Sequence, residues 1–376
     1  MTLRTAQLVD TLNIGGAQKL LVTYAHAARQ RGIAVDAISL GGAATSLAAD
    51  LRAAGARVFG FPSRSLLDPV RLGRLVRHLR HTDVDVIQTH LTYANILGAV
   101  AGRLAGRPVV ATLHSISEEA HVYHPVRHAL ETWALRYAVQ RVVAVGPTVA
   151  EVARRRLGRR RVDVIPNAVL PPPSLGEQDR AALRRQLVGD ASRPLLIAVG
   201  RITGAKGYPD LIEAMARLRP RQPAPALVIV GGGDTIGELV AHVSSLGLTG
   251  QVWLLGARDD VARLLAAADI FVSSSHWEGL PLALLEAMMA GLPVVATAVG
   301  DIPTAVAEGT GVLVPPRQPA ALAAALDALL DDPARIGRTG QMAREYAIRT
   351  YGVDSWMERL LALYAEVTNT RSETGR

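Results

Sequence analysis

Ser273 to Thr297 reads S-S-S-H-W-E-G-L-P-L-A-L-L-E-A-M-M-A-G-L-P-V-V-A-T, and this stretch decides how the second half of the 376-residue chain is organised. A strand ends at Ser273, a loop follows, then a helix, then a second strand from Val294. Pro281 suits the first helical turn, Gly291 suits the residue just past the helix, and Pro293 blocks continuation. Glu278 therefore falls in the loop and Glu286 inside the helix. A helix start presents unpaired N–H groups and the positive end of a dipole, so it can hold a diphosphate without any side chain. Gly279 lets backbone approach a ligand closely, and Leu280 and Leu282 flank the same helix start; with Glu286 they form the substrate-binding set. The two carboxylates, eight residues apart, could grip opposite ends of a nucleotide sugar, one at sugar hydroxyls and one at a ribose. Read by themselves, Glu278 equally offsets the helix dipole and Glu286 equally serves as a solvated helix residue.

Outward from this stretch, short β-branched runs alternate with amphipathic segments of about a dozen residues, the pattern of βα units on a parallel sheet. In the first half, strands are expected at 6–9, 35–40, 58–61, 84–88, 109–113, 142–145 and 162–165. Pro166 and the triple Pro171-Pro172-Pro173 then mark a linker, since prolines cannot join a helix or central strand. The alternation restarts at 195–199, 226–230, 252–255, 270–273, 294–297 and 311–314, and is helical beyond Pro319. Gly352 and Asp354 break that run before a last helix at 355–367. The fold class is α/β with two Rossmann-like domains, 1–168 and 169–352.

Composition narrows the function. The chain lacks cysteine, which removes disulfides, thiolate metal sites and cysteine nucleophiles. Arg4 and Asp10 interrupt what would be a signal core, and no uncharged apolar run reaches spanning length, so a cytoplasmic protein is expected. A net charge of +8 favours anionic partners. Only Lys19 and Lys206 among the 41 basic residues are lysines, so a lysine inside a glycine loop draws notice.

That loop is Val199-Gly200-Arg201 followed by Gly204-Ala205-Lys206-Gly207-Tyr208, after the first strand of the second domain. Arg201 and Lys206 can converge on a diphosphate leaving group and stabilise its developing charge. It is no Walker A motif, because Tyr208 follows Gly207 and neither Ser nor Thr follows Lys206. Asn13 to Gln18, with Gly15 and Gly16, forms a glycine turn after the first strand without the full dinucleotide fingerprint. His114 ends the strand 109–113, where ligands of open α/β sheets bind, and His90 and Asn95 hold similar positions. Gly231-Gly232-Gly233 and Gly256-Ala257-Arg258 each end a strand of the second domain, either as ligand loops or as plain turns. His121, His124 and His128 with Glu118 raise a metal site, but Pro125 interrupts them and a loop reading is preferred. Arg71, Arg74, Arg77 and Arg80 fringe a helix whose apolar face packs on its own sheet or meets an anionic membrane.

The spacing Glu278 to Glu286 and the segment Gly200 to Gly207 resemble the E-x7-E and G-R-x4-K-G signatures of glycosyltransferase family four, retaining enzymes of the GT-B fold. The resemblance implies two facing domains with a deep cleft and a C-terminal helix, about 353–370, returning to the first domain. It implies an N-terminal acceptor domain and a C-terminal nucleotide-sugar domain. The reaction expected is transfer from a nucleotide diphosphate sugar, a UDP-sugar first, to a lipid-linked or saccharide acceptor, without metal or other cofactor. Glu278, Arg201, Lys206 and His114 would be catalytic, with His114 against the donor sugar; Gly16 and Arg258 join the substrate-binding set. Gln18 stands where relatives carry glutamate in a G-G-A-E turn, and Thr304 where they carry an acid. Peripheral contact with the inner membrane face is compatible with this, and no nucleic acid is expected. Two other readings are an epimerase on the same scaffold, which would act without an acceptor, and a non-catalytic basic protein binding membrane or nucleic acid.

Overall fold

A computed structural model describes residues 3–13, 16–63, 65, 68–114 and 124–374, with side chains through 369. The chain divides into two compact units, one of residues 1–168 with 353–376 and one of residues 169–352.

The first unit holds seven strands: β1 (Arg4–Val9), β2 (Ala34–Ser39), β3 (Arg57–Gly60), β4 (Val86–His90), β5 (Val109–Leu113), β6 (Arg141–Ala144) and β7 (Val162–Val164). They form one parallel sheet in the order β3-β2-β1-β4-β5-β6-β7. β4 and β5 are buried along their whole length, as strands covered on both faces must be. The helices between them are α1 (Gly16–Gln30), α2 (Ser46–Ala53), α3 (Pro69–His81), α4 (Thr92–Ala105), α5 (Pro125–Tyr137) and α6 (Pro147–Leu157). Their starts are written in the sequence: Thr45 accepts from the Ala48 N–H, Asp68 accepts from Val70 and Arg71, and prolines open α3, α5 and α6. Gly106, in the left-handed region, ends α4.

The second unit begins with α7 (Glu177–Val188). It continues through β8 (Leu195–Val199), α8 (Tyr208–Leu218), β9 (Ala226–Val230), α9 (Ile236–Ser245), β10 (Val252–Leu254) and α10 (Val261–Ala267). Then come β11 (Ile270–Ser273), α11 (Leu282–Met289), β12 (Val294–Thr297), α12 (Ile302–Ala305), β13 (Gly311–Val314), α13 (Pro319–Leu330) and α14 (Pro333–Tyr351). Its parallel sheet runs β10-β9-β8-β11-β12-β13. Leu211 and Met215 of α8 and Leu322 and Leu326 of α13 pack together over Leu196 and Leu227.

The expected strands all form, each within two residues of its expected bounds. β4 starts at Val86 rather than Val84, because Asp83 sits at φ 39° and Asp85 first turns its N–H to the Arg4 carbonyl. The last helix, α15, spans Val353–Thr374, two residues earlier and several later than the pattern suggested, since extended backbone at Gly352 breaks the run. α15 belongs to the first unit: Trp356, Met357, Leu360, Leu363 and Tyr364 join Leu20, Leu21 and Tyr24 of α1 and Leu47 and Leu51 of α2. Tyr24 and Trp356 meet edge to face at 5.9 Å.

Candidate active site

In each sheet the strand order reverses once, between β1 and β4 and between β8 and β11. A crevice opens beyond the carboxyl ends of the strands at such a point, and ligands of open α/β sheets bind there. In the second unit the loops that leave β8 and β11 are the two that carry the sequence motifs.

Lys206 and Glu278, 72 residues apart, are joined as an ion pair between Nζ and Oε1. Glu278 also accepts from the Ser275 hydroxyl at 2.7 Å. The two loops are stitched together by backbone: the His276 N–H donates to the Ala205 carbonyl at 2.8 Å, and the Ser274 hydroxyl donates to the Lys206 carbonyl at 2.9 Å. His276 Nε2 lies 2.8 Å from Asp210 Oδ2, closing the junction from α8. Lys206, Tyr208, Ser275, Glu278, Pro281 and Leu284 line a pocket there. Burial, then the Glu278 charge, holds the Tyr208 phenol well above its ordinary range, so it stays protonated and donates to the Gly200 carbonyl at 3.0 Å.

The glycines of these loops follow from packing. A Cβ on Gly200 would stand 2.9 Å from Lys206 Cε, so the bare backbone gives the lysine stem its path. Gly207 sits at φ +56°, and a Cβ there would come within 2.2 Å of the Ser274 carbonyl oxygen. Gly231 and Gly233 press on the Gly200 and Ile202 carbonyls, where a Cβ would approach to 1.9 and 2.1 Å. The triple glycine therefore supports the Arg201 loop, a use its sequence did not announce. Gly300 presses on the Glu278 carbonyl, where a Cβ would stand at 1.8 Å, and the Asp301 N–H donates to Gly279 at 3.1 Å.

Pro281 is the N-cap of α11, Leu282 its first residue, and Gly291 at φ +82° lies just past its C-cap. Leu280 is buried beneath the loop; Gly279, Leu282 and Glu286 are half-buried. Arg201 is exposed. Arg258 is held by Asp260 through two hydrogen bonds of 2.7 Å, so its guanidinium meets an intramolecular carboxylate that the reading of Arg258 as a ligand-binding residue had not foreseen.

In the first unit, His90 and His114 stand at the ends of β4 and β5, with His90 Nδ1 2.9 Å from His114 Nε2. Gln7 donates from Nε2 to the Tyr364 hydroxyl at 3.3 Å and turns its carbonyl oxygen to His90 Nε2 at 2.9 Å. Tyr364 in turn donates to Gln88. His90 Nε2 must therefore carry the proton, His90 Nδ1 accepts, and His114 donates from Nε2. The Nδ1 of His114 is left as an acceptor. Burial pushes the His114 pKa down to about 4, and burial with the neighbouring His114 pushes His90 well below its ordinary 6.5, so both rings are neutral.

Asn95 is a correction. It turns inward, accepting from Thr89 at 2.8 Å and donating to Glu131 at 3.0 Å, and Glu131 pairs with Arg156 at 2.9 Å; its amide ties β4 to α5 and α6 rather than addressing a ligand. Asp10, which the sequence reading treated only as a charge, accepts from Ala94 and Tyr93 at 2.6 and 3.3 Å. It caps α4, whose own N-cap Leu91, at φ 73°, has no side-chain acceptor for a cap hydrogen bond. Burial raises the Asp10 pKa to about 6. Gly16 is the exposed first residue of α1. His121 and Glu118 lie outside the described residues; Pro125 opens α5, leaving His124 before the helix and His128 in it. Among the described residues no cluster of three His, Asp or Glu side chains could hold a metal, and no helix is long and apolar enough to cross a membrane.

Residues 14–170 match the family Glycosyltransferase Family 4, and residues 179–349 match Glycosyl transferases group 1. The chain is 31% identical over 315 residues to the 2-deoxystreptamine glucosyltransferase of Streptomyces kanamyceticus, covering 79% of this chain and 81% of that one. It is 29% identical over 340 residues to the GDP-mannose-dependent alpha-(1-6)-phosphatidylinositol monomannoside mannosyltransferase of Mycolicibacterium smegmatis, with 85% of each chain covered. Its fold matches that of Anabaena Alr3699/HepE, solved with UDP and glucose, at a TM-score of 0.87 over 97% of this chain and 100% of that one, with 23% identity. With two parallel-sheet Rossmann-like units and both halves matched, the chain belongs to glycosyltransferase family four.

Proposed function

We propose that the protein is a retaining glycosyltransferase that takes a hexosyl group from a nucleotide diphosphate sugar, a UDP-sugar first among them, without a metal. The observation that carries the reading is the joining of Lys206 and Glu278 at the β8/β11 switch point, beside the amino end of α11. In this proposal the pyrophosphate lies on the α11 start and Lys206, with Arg201 as a second cation and Glu286 accepting from the ribose hydroxyls. Glu278 meets sugar hydroxyls. His114, through its acceptor Nδ1, takes a hydrogen bond from a sugar hydroxyl. Gly16 and the Arg258 loop contact the donor nucleotide.

The bond from the anomeric carbon to the leaving phosphate oxygen breaks, and the acceptor oxygen bonds the same face of that carbon. The acceptor proton passes to the departing phosphate, so the nucleoside diphosphate is released protonated and no side chain is consumed. The cations and the helix start stabilise the charge that the phosphate gains. The relatives are named for acceptors as unlike as 2-deoxystreptamine and a phosphatidylinositol mannoside, which supports a saccharide or lipid-linked acceptor as the class. The UDP bound in the Anabaena neighbour supports a uridine donor. The second unit would then be the donor half and the first the acceptor half.

A thermal-shift panel of UDP-, GDP- and ADP-sugars tests it, because bound ligand raises the melting point. One donor should stabilise the wild type, and the Glu286→Ala chain should lose that shift. Undiminished affinity in Glu286→Ala would count against the assignment, and conversion of the sugar without any acceptor would point to an epimerase.

A further inference from the structure

Helices α3, α4 and α5 lie side by side and cover one part of the first unit, away from the core that α1, α2 and α15 build. Along these helices Arg74, Arg77, Arg80, Arg103 and Arg136 are exposed. Their one acidic residue, Glu131, is buried against Arg156. Asp68, at the start of α3, is committed to the Val70 and Arg71 N–H groups.

The same layer carries large apolar side chains in water. Val126 is 60% exposed, Trp133 49% and Tyr137 64%, at the i, i+7 and i+11 positions of one stripe on α5. Val70 on α3 is 68% exposed and Leu104 at the end of α4 52%. Leu72, Val76 and Leu104 line an open groove between α3 and α4, with Arg77, Arg80 and His81 around it. On α3, Leu75, Val76 and Leu79 are buried, Leu72 is half-buried and Val70 is exposed.

We propose that the α3–α4–α5 layer is a docking face for an anionic lipid bilayer. Two independent features select that occupant. Exposed arginine without exposed acid along the helices matches a surface of one sign, whereas a protein partner offers both. Tryptophan and tyrosine beside arginine are the side chains that settle at the headgroup level, with rings in the hydrocarbon boundary and polar ends in water. A nucleic acid would reward the arginines but not Val70, Leu104 and Val126. The proposal holds whether the acceptor is lipid or saccharide.

The test is sedimentation of the full chain with vesicles of phosphatidylcholine mixed with phosphatidylglycerol, against vesicles of phosphatidylcholine alone. Binding is expected only to the anionic vesicles, and brominated acyl chains should quench the protein's tryptophan fluorescence. Trp133→Phe should keep binding and lose the quenching. Replacing Arg74, Arg77 and Arg80 by glutamine should weaken partitioning about fivefold per arginine, and Trp133→Ser with Tyr137→Ser about tenfold together. No sedimentation of the wild type with anionic vesicles overturns the proposal, as does binding without quenching or equal binding by the variants. Should a variant misfold, the wild-type quenching decides alone. Retention on single-stranded RNA with no vesicle binding would assign the arginines to nucleic acid and overturn it as well.

Discussion

Glu278 neutralises Lys206 and accepts from Ser275, so removing either member of the pair leaves the other partly buried charge without its partner. Lys206→Ala is expected to lower kcat by roughly 10²–10³-fold, the effect of losing one preorganised contact to developing charge, as measured by sugar transfer under saturating donor. Lys206→Arg should not restore it, because a planar, forked guanidinium on a stem held against Gly200 does not put a point charge where the ammonium meets Glu278. The histidine pair makes a second prediction, about pH. Both rings are neutral in the native state and charge in the unfolded chain below their ordinary pKa near 6.5. The stability they contribute is complete above pH 6.5 and is lost as pH falls toward 4, where His114 titrates. Asp10 acts oppositely: its folded pKa near 6 exceeds its ordinary 3.8, so its contribution is complete below 3.8 and lost as pH rises through 6. Two imidazoles outweigh one carboxyl, and the urea midpoint should fall on acidification from pH 6.5. Asp10→Asn should steepen that fall and His114→Asn flatten it. Nitrogen NMR should also find His114 protonated on Nε2; a proton on Nδ1 would reverse the chain that runs back to Gln7 and Tyr364.

Elements meet at glycines in this protein, and one of them offers a clean test. Gly300 combines φ +55° with a backbone contact that a Cβ would close to 1.8 Å at the Glu278 carbonyl. Gly300→Ala should therefore cost about 1–3 kcal/mol in denaturant unfolding and weaken nucleotide-sugar binding, since the Glu278 loop must move. Such contacts explain which features of the fold and site were legible in the sequence. Strands such as V-V-A-T-L and L-L-I-A-V announce themselves because strands covered on both faces are built mostly of aliphatic and β-branched residues. Pro281 and Gly291 marked the ends of α11 because their backbone limits are local. Gly300 against Glu278, Lys206 against Glu278 and Gln7 against His90 are encounters between distant segments, and no local pattern encodes a partner 72 or 83 residues away. Asn95 misled for the same reason: its place after β4 was visible, while the Glu131 that turns it inward belongs to another helix. The exposed stripe on α5 was readable in principle as Val126, Trp133 and Tyr137 at helical spacing, but spacing alone does not say which face meets the core.

At the scale of the whole chain, the first unit is completed by its last segment. Trp356, Met357, Leu360, Leu363, Tyr364 and Val367 of α15 are all buried in the core that α1 and α2 build, and Tyr364 anchors the chain of hydrogen bonds reaching His114. Burying each large apolar side chain contributes about 1.5–3 kcal/mol, so losing six removes a sum comparable with the whole stability of an ordinary domain, about 5–15 kcal/mol. A chain ending at Gly352 should then fail to hold its first unit. The second unit has its own sheet and core within residues 169–352 and should persist. Hydrogen exchange separates the two outcomes: amides of β1 and β4 should exchange at the rate of an unfolded chain in the shortened protein, while those of β8 and β11 stay protected. If the nucleotide-sugar determinants lie where we propose, on the loops after β8 and β11, the shortened protein should still show a donor-dependent thermal shift while transferring nothing. Full protection of β1 in the shortened protein would mean that α15 covers a core already stable without it.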